Sequence, residues 1–221
     1  MGEHAQKRLI RKIDLERFLS TIKPHPSPSV SLEQYTTSET VAATMLHLAA
    51  YTYGDIVGKR VLDLGCGTGR LSLGAAFLGA RSVVGVDIDK TAINLAYKNL
   101  TNTGLALPVD WVVGDIDTII GSFDTVLQNP PFGVQKHAAD RRFLEKALKI
   151  SNVTYSIHNH PNIDQRLLKK IKSHNANTPE VHSQFMQRFV EANGGRIEAV
   201  FTMPMAIPRM FDFHTKTRQK I

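Results

Sequence analysis

Short runs of β-branched and apolar residues alternate with stretches of helical periodicity, and this alternation constrains the fold most. The apolar runs are Lys59 to Leu64, Ser82 to Val86, Val109 to Val113, Phe123 to Leu127, Asn152 to Ile157 and Arg196 to Met203. Helical patterns fall at Gly69 to Leu78, Lys90 to Leu100, Ala138 to Lys149 and Pro179 to Ala192. Strands joined through helices need crossover connections, which give a mostly parallel sheet covered on both faces. The expected class is therefore α/β, a Rossmann-like doubly wound sheet.

The chain of 221 residues has room for one such domain with appendages. A helix is expected over residues 5–20. Lys23-Pro24-His25-Pro26-Ser27-Pro28 then forbids a regular helix, because prolines at alternate positions remove donors and restrict their neighbours. Ser38 can cap a helix running to about Tyr51. These features divide the chain into an N-terminal helix with a covering segment, 1–37, and a main domain, 38–221. Residues 160–178 read as an insertion containing a short basic helix, Asn162 to Lys172.

The formal charge of +7 favours a polyanionic partner, with a basic proteome as the bland alternative. No apolar run is long enough to span a membrane, and the charged N-terminus is unlike a secretory signal. The single cysteine, Cys66, allows no internal disulfide and fits a reducing cytoplasm. His158, His160, His174 and His182 match no metal-site spacing, so no metal is expected.

In an open parallel sheet, ligands bind beyond the carboxyl ends of the strands. Gly65-Cys66-Gly67-Thr68-Gly69 follows the first strand and would sit there. A dinucleotide fingerprint needs a glycine at position 70, where this chain has Arg70. Asp63 lies within the first strand. Asp87 ends the second at the spacing of a ribose-hydroxyl acceptor, and Asp115 follows the third, where it could accept from an adenine amine. The competing reading is that these aspartates merely cap helices. Asp63 suits an ammonium and would repel a pyrophosphate. That difference favours S-adenosylmethionine over NAD as the expected cofactor.

The fourth strand leads into Asn129-Pro130-Pro131-Phe132. The prolines remove backbone donors and restrict the turn. The Asn129 side-chain oxygen and the Pro130 carbonyl can then accept both N–H groups of a planar amine. Phe132 offers a face on which a base can stack; otherwise it belongs to the core of a rigid loop. The pairing of the two motifs predicts N-methylation with Asn129, Pro130, Pro131 and Phe132 as the catalytic segment.

The chain resembles the archaeal and eukaryotic methyltransferase-like protein five family over about Leu32 to Lys216. The resemblance is carried by Leu32-Glu33-Gln34-Tyr35-Thr36-Thr37, Asp63-Leu64-Gly65-Cys66-Gly67, Gly85-Val86-Asp87-Ile88-Asp89, Phe123-Asp124-Thr125-Val126, Asn129-Pro130-Pro131-Phe132-Gly133 and Phe213-His214. It implies a class I methyltransferase forming N6-methyladenosine in small-subunit ribosomal RNA. It also implies that Gln34 and Thr37 fold over the cofactor, with Gly65, Thr68, Arg70, Asp87 and Asp115 in contact. Thr68 and Arg70 differ in type from the residues expected in eukaryotic relatives, so only their backbone contacts carry over. The insertion at 160–178 is absent from those relatives. The resemblance implies a final strand beyond Ile221, expected here to be either cut short or missing. A small zinc-ribbon activator adds to a sheet edge in the eukaryotic members. Val109 to Val113 with Trp111 is the candidate edge here; a monomer with Trp111 buried is the alternative. The rival enzyme is a protein glutamine N5-methyltransferase, which usually carries Tyr where this chain has Phe132. A non-catalytic RNA-binding module is the rival of another class.

Overall fold

A computed structural model describes residues 9–29, 32–34, 36–131, 139–158 and 184–203. Phe132, the 160–178 segment and everything after Met203 lie outside the described residues.

Five strands form the sheet: β1 (Arg60–Leu64), β2 (Ser82–Asp87), β3 (Val109–Val113), β4 (Phe123–Gln128) and β5 (Ser151–Ser156). Their order is β3-β2-β1-β4-β5, and every pairing is parallel. The chain builds outward from β1 to β3 and then returns to the other side of β1. Strand order therefore reverses between β1 and β4, where a parallel sheet opens a crevice at its carboxyl end.

The helices are α1 (Lys12–Ser20), α2 (Glu39–His47), α3 (Arg70–Phe77), α4 (Lys90–Asn102), α5 (Ala139–Ile150) and α6 (Gln184–Ala192). A π-turn, Leu48–Thr52, extends α2 close to the expected end at Tyr51. Ser38 caps α2 by accepting from the Val41 N–H.

Strand β1 explains the continuous apolar run read from the sequence. Val61 joins a core layer with Leu15, Leu19, Leu46, Leu71 and Val83. Leu62 and Leu64 join the opposite layer with Val86, Val126 and Ala147. Both faces are buried, so a polar alternation has no place on this strand. Removing a fully buried leucine such as Leu62 is expected to cost about 2–5 kcal/mol.

Two expectations require correction. The N-terminal helix expected over 5–20 is formed over Lys12–Ser20; residues 9–11 are not helical, and residues 5–8 lie outside the described residues. Arg11 is extended, and the Ile10 N–H donates to the Tyr51 hydroxyl at 3.0 Å, which holds this part of the chain off the helix. The strand expected at Arg196 to Met203 is not formed; within it only Phe201 makes an isolated bridge. Arg196 and Glu198 pair with each other in solvent at 3.1 Å, and among the described residues no ladder organises the segment. Among the described residues, no helix is long and apolar enough to cross a membrane.

Among the described residues strand β3 lies at the sheet edge, the first of the two readings for Val109 to Val113. Trp111 nevertheless turns inward. A Cβ on Gly85 or on Gly69 would stand 2.5 Å from its ring, so the indole occupies space that only glycine leaves open.

Candidate functional site

A cavity of about 260 Å³ opens at the carboxyl ends of β1, β2 and β4, at the reversal of strand order. Gly65, Gly67 and Gly69 turn the chain after β1 with φ of 69°, 54° and 87°. Side chains adopt such positive values at a cost, whereas glycine does not. The Gly65 and Cys66 N–H groups both donate to the Val86 carbonyl at 2.9 Å, which ties the turn to β2.

Three acids surround this turn. Asp63 is 1% exposed, and its Oδ2 accepts from the Ser72 N–H at 2.9 Å and the Ser72 hydroxyl at 2.6 Å. It therefore caps α3 from within the strand. Its Oδ1 is buried and finds no donor among the described residues. Burial pushes this carboxyl up to about 7, against the lowering effect of the Ser72 bonds. Asp87 accepts from the Gly67 N–H at 2.8 Å and the Asp89 N–H at 2.9 Å. Burial raises it, and the two N–H bonds oppose the rise. Asp115 accepts from the Asp117 N–H at 2.9 Å and from Arg142. The Asp117 N–H is the larger influence lowering its carboxyl, and Arg142 adds to it. Asp63 and Asp115 thus both cap a following helical turn and line the cavity, whereas Asp87 lines it without capping, since Asp89 is the residue that caps α4.

The N-terminal segment closes one side. Gln34 spans two contacts: its Oε1 accepts from the Ser29 N–H at 2.6 Å, and its Nε2 donates to Asp89 at 2.8 Å. Arg70 is buried and donates to the Thr37 carbonyl at 2.5 Å and the Ile22 carbonyl at 3.0 Å. It also pairs with Glu39 at 3.1 Å. The Arg70 side chain, not only its backbone, therefore fastens the segment to α3. Thr68 is buried, and its carbonyl accepts from Asn99 at 3.0 Å. Asn99 also exchanges hydrogen bonds with the Lys23 backbone at 3.1 Å, which anchors the proline-rich linker to α4.

The other wall comes from β4 and α5. Asn129 Nδ2 donates to the Thr37 hydroxyl at 2.8 Å. In this amide orientation Asn129 Oδ1 is buried without a donor among the described residues. Pro130 is buried and Pro131 lines the cavity. Gln128 Nε2 donates to Ser156 at 2.9 Å, and Ser156 lies 2.7 Å from His158 Nε2, which fixes the start of the turn against β5.

Three cavity residues, Arg142, Phe143 and His25, were not apparent from the motifs. Arg142 donates to Asp115 and at 2.6 Å to Asp117. Phe143 covers the first turn, since a Cβ on Gly65 would meet its ring at 2.9 Å. Both follow the Asn129 motif on the first turns of α5, and that helix position was the available signal. His25 Nε2 lies 3.2 Å from Asp89 Oδ2, in ion-pair range but outside hydrogen-bond geometry. Only the folded chain brings this proline-flanked histidine and Asp89 to the cavity rim. Among the described residues no cluster of three His, Cys, Asp or Glu side chains could hold a metal.

The chemistry available is specific. Acidic side chains predominate near the glycine turn, which suits a cationic ligand and disfavours a pyrophosphate. The opposite wall presents a neutral acceptor without a donor.

Comparison with known proteins agrees with this arrangement. Residues 39–154 match the methyltransferase small domain. An uncharacterized protein of Methanocaldococcus jannaschii is 37% identical over 220 residues, covering 94% of this chain and 89% of that protein. The Drosophila melanogaster rRNA N(6)-adenosine-methyltransferase Mettl5 is 43% identical over 152 residues, covering 65% of this chain and 70% of its own length. A crystal structure of a candidate RNA methyltransferase from Pyrococcus horikoshii superposes with a TM-score of 0.75 at 37% identity, covering 91% of this chain and 90% of that one. With the crevice, the glycine turn and the Asn-Pro-Pro wall all in place, the chain belongs to the methyltransferase small-domain family and, within it, to the methyltransferase-like protein five group.

Proposed function

We propose that this protein transfers a methyl group from S-adenosylmethionine to the N6 nitrogen of an adenosine in small-subunit ribosomal RNA. The observation that carries the proposal is the buried Asn129 Oδ1. Among the described residues it is an acceptor without a donor, held at the cavity by the Nδ2 contact to Thr37. A buried polar atom left in this state costs about 1–3 kcal/mol, so its natural partner is a donor on the substrate.

The cavity fits S-adenosylmethionine. Asp63 Oδ1, buried and lacking a donor, suits its ammonium. Asp87, fixed by two backbone N–H groups, suits the ribose hydroxyls. Asp115, steadied by Arg142, suits the adenine amine. The turn residues Gly65, Gly67, Thr68 and Gly69 allow close backbone approach, while Gln34, Thr37 and Arg70 close the covering segment. When bound, the cofactor supplies an electrophilic methyl group on a sulfonium.

On the acceptor side, Asn129 Oδ1 takes one N6 proton and the Pro130 carbonyl the other. The nitrogen lone pair is then aimed by position. Asn129 cannot act as a base, and orientation is its contribution. Pro131 stiffens the turn, and the same reading assigns base stacking to Phe132. A small zinc-ribbon activator would find an unpaired edge at β3, where Val113 is half exposed.

Labelled methyl transfer onto ribosomal subunits, free ribosomal RNA and a release factor, followed by nucleoside and peptide analysis, tests the proposal. The expected product is N6-methyladenosine in small-subunit RNA. Label on a glutamine side chain alone would replace this reading with the rival enzyme. Absence of label on every acceptor would favour the non-catalytic module.

A further inference from the structure

We propose that the face shared by the first turn of α5 and by α6 grips unpaired RNA on either side of the target adenosine, with Phe185 as a stacking platform and Arg141 as its cationic partner. This rests on the RNA-methylation reading above.

Adjacent helical residues diverge by about 100°. Arg142 is directed into the cavity, where it holds Asp115. Arg141, the preceding residue, is exposed and does not line the cavity. Its guanidinium carbon lies 4.6 Å from the centre of the Phe185 ring. Phe185 is 52% exposed on α6, and Arg188 on the same helix is also exposed. A large aromatic held open beside a guanidinium is poorly explained by stability. An exposed cation–π contact contributes less than burying the ring would.

The platform is also held in place. Phe189 stacks on Phe185 with ring centres 6.3 Å apart and planes 25° from parallel. Val190 is buried, and a Cβ on Gly195 would stand 2.9 Å from Leu148 of α5. The end of α6 therefore packs on the helix that carries Arg141 and Arg142.

Charge favours a nucleic acid over an apolar protein surface, because the chain carries a net +7 and this face presents Arg141 and Arg188. Stacking on an exposed ring requires a free base face, which a duplex does not offer. The occupant is thus single-stranded RNA, next to the residue whose neighbour lines the cavity.

The test measures anisotropy of a labelled single-stranded RNA and of the same strand in duplex, using the full chain over a range of salt. Phe185→Ala is expected to weaken single-strand binding about tenfold, with little change for duplex and an unchanged salt slope. Phe185→Tyr should retain most of the affinity. Arg141→Gln should lower the salt slope by about 0.7 if it meets one phosphate. Calorimetric cofactor binding should match the wild type in all three. If Phe185→Ala disturbs cofactor binding, Arg141→Gln on its exposed helical position carries the test. Unaltered single-strand affinity in both variants, or equal loss for duplex, overturns the proposal, as does wild-type protein that binds no RNA. Binding through this face by a protein that methylates no RNA would sink the functional reading and leave the face standing. Normal methylation with an unchanged RNA KM in Phe185→Ala would do the reverse.

Discussion

The two halves of the cavity are built differently. On the β1–β2 side the polar groups are largely engaged. Asp87 accepts from two backbone N–H groups, Asp63 from Ser72 twice, and Asp89 from Gln34. On the β4 side Asn129 is tied through its nitrogen alone, and its oxygen is left without a donor. Each side keeps one buried oxygen open among the described residues, but Asp63 Oδ1 belongs to a carboxylate pinned twice by Ser72, whereas Asn129 Oδ1 belongs to an amide tied at a single point. Preorganised polar groups of the second kind affect rate more than affinity.

The comparison breaks first at Asn129. Asn129→Ala is expected to slow single-turnover methylation on the order of a hundredfold or more, comparable with losing one preorganised contact. Cofactor affinity should stay near normal. A variant with wild-type turnover would show that the two walls do not divide the labour in this way.

The β1–β2 side responds in the opposite sense. Asp87→Ala should weaken cofactor binding by about 1–3 kcal/mol in calorimetry, the loss of a charged hydrogen-bond partner. Unchanged affinity would remove Asp87 from the ribose role.

Asp63 sharpens the distinction through pH. Its folded-state carboxyl sits at about 7, above its unfolded value near 4. The folded state therefore binds the extra proton, and stability falls as pH rises between those values, levelling above about 7. Binding an ammonium needs the ionised form, so cofactor affinity should rise with pH up to about 7, by up to about tenfold per unit. Asp63→Asn should flatten this profile. A wild-type affinity that is flat between pH 5 and 7 would exclude Asp63 from contact with a cation.

The smallest effect is expected at Arg142. It is half exposed and pairs with Asp115 and Asp117. Exposed pairs are worth about 0–1 kcal/mol, so Arg142→Met should raise the cofactor dissociation constant only a few-fold. A hundredfold rise would mean that Arg142 itself touches the ligand.

Much of this site could be read in the chain because it is local in sequence. The Gly65–Gly69 turn, Asp87 at a strand end and Asn129-Pro130-Pro131 each declare their backbone geometry through residue type. The alternation of strands and helices likewise needs only short-range periodicity. Arg196 to Met203 shows the limit. It has strand-like residues, but a strand exists only when a neighbour supplies a ladder, and among the described residues it shows only the isolated bridge at Phe201.

The α/β class, the parallel sheet, the glycine turn and the Asn129-Pro130-Pro131 turn at the cavity could all be read from residue order alone. Tertiary structure alone decided what surrounds them. Arg70 reaches Ile22 and Thr37, Asn129 reaches Thr37, and Gln34 reaches Asp89 across long stretches of chain. Asp63 becomes weakly acidic because both faces of β1 are covered, a property of burial that residue type cannot carry. Local backbone preference is written in each residue, whereas desolvation and long-range pairing arise only when distant segments meet.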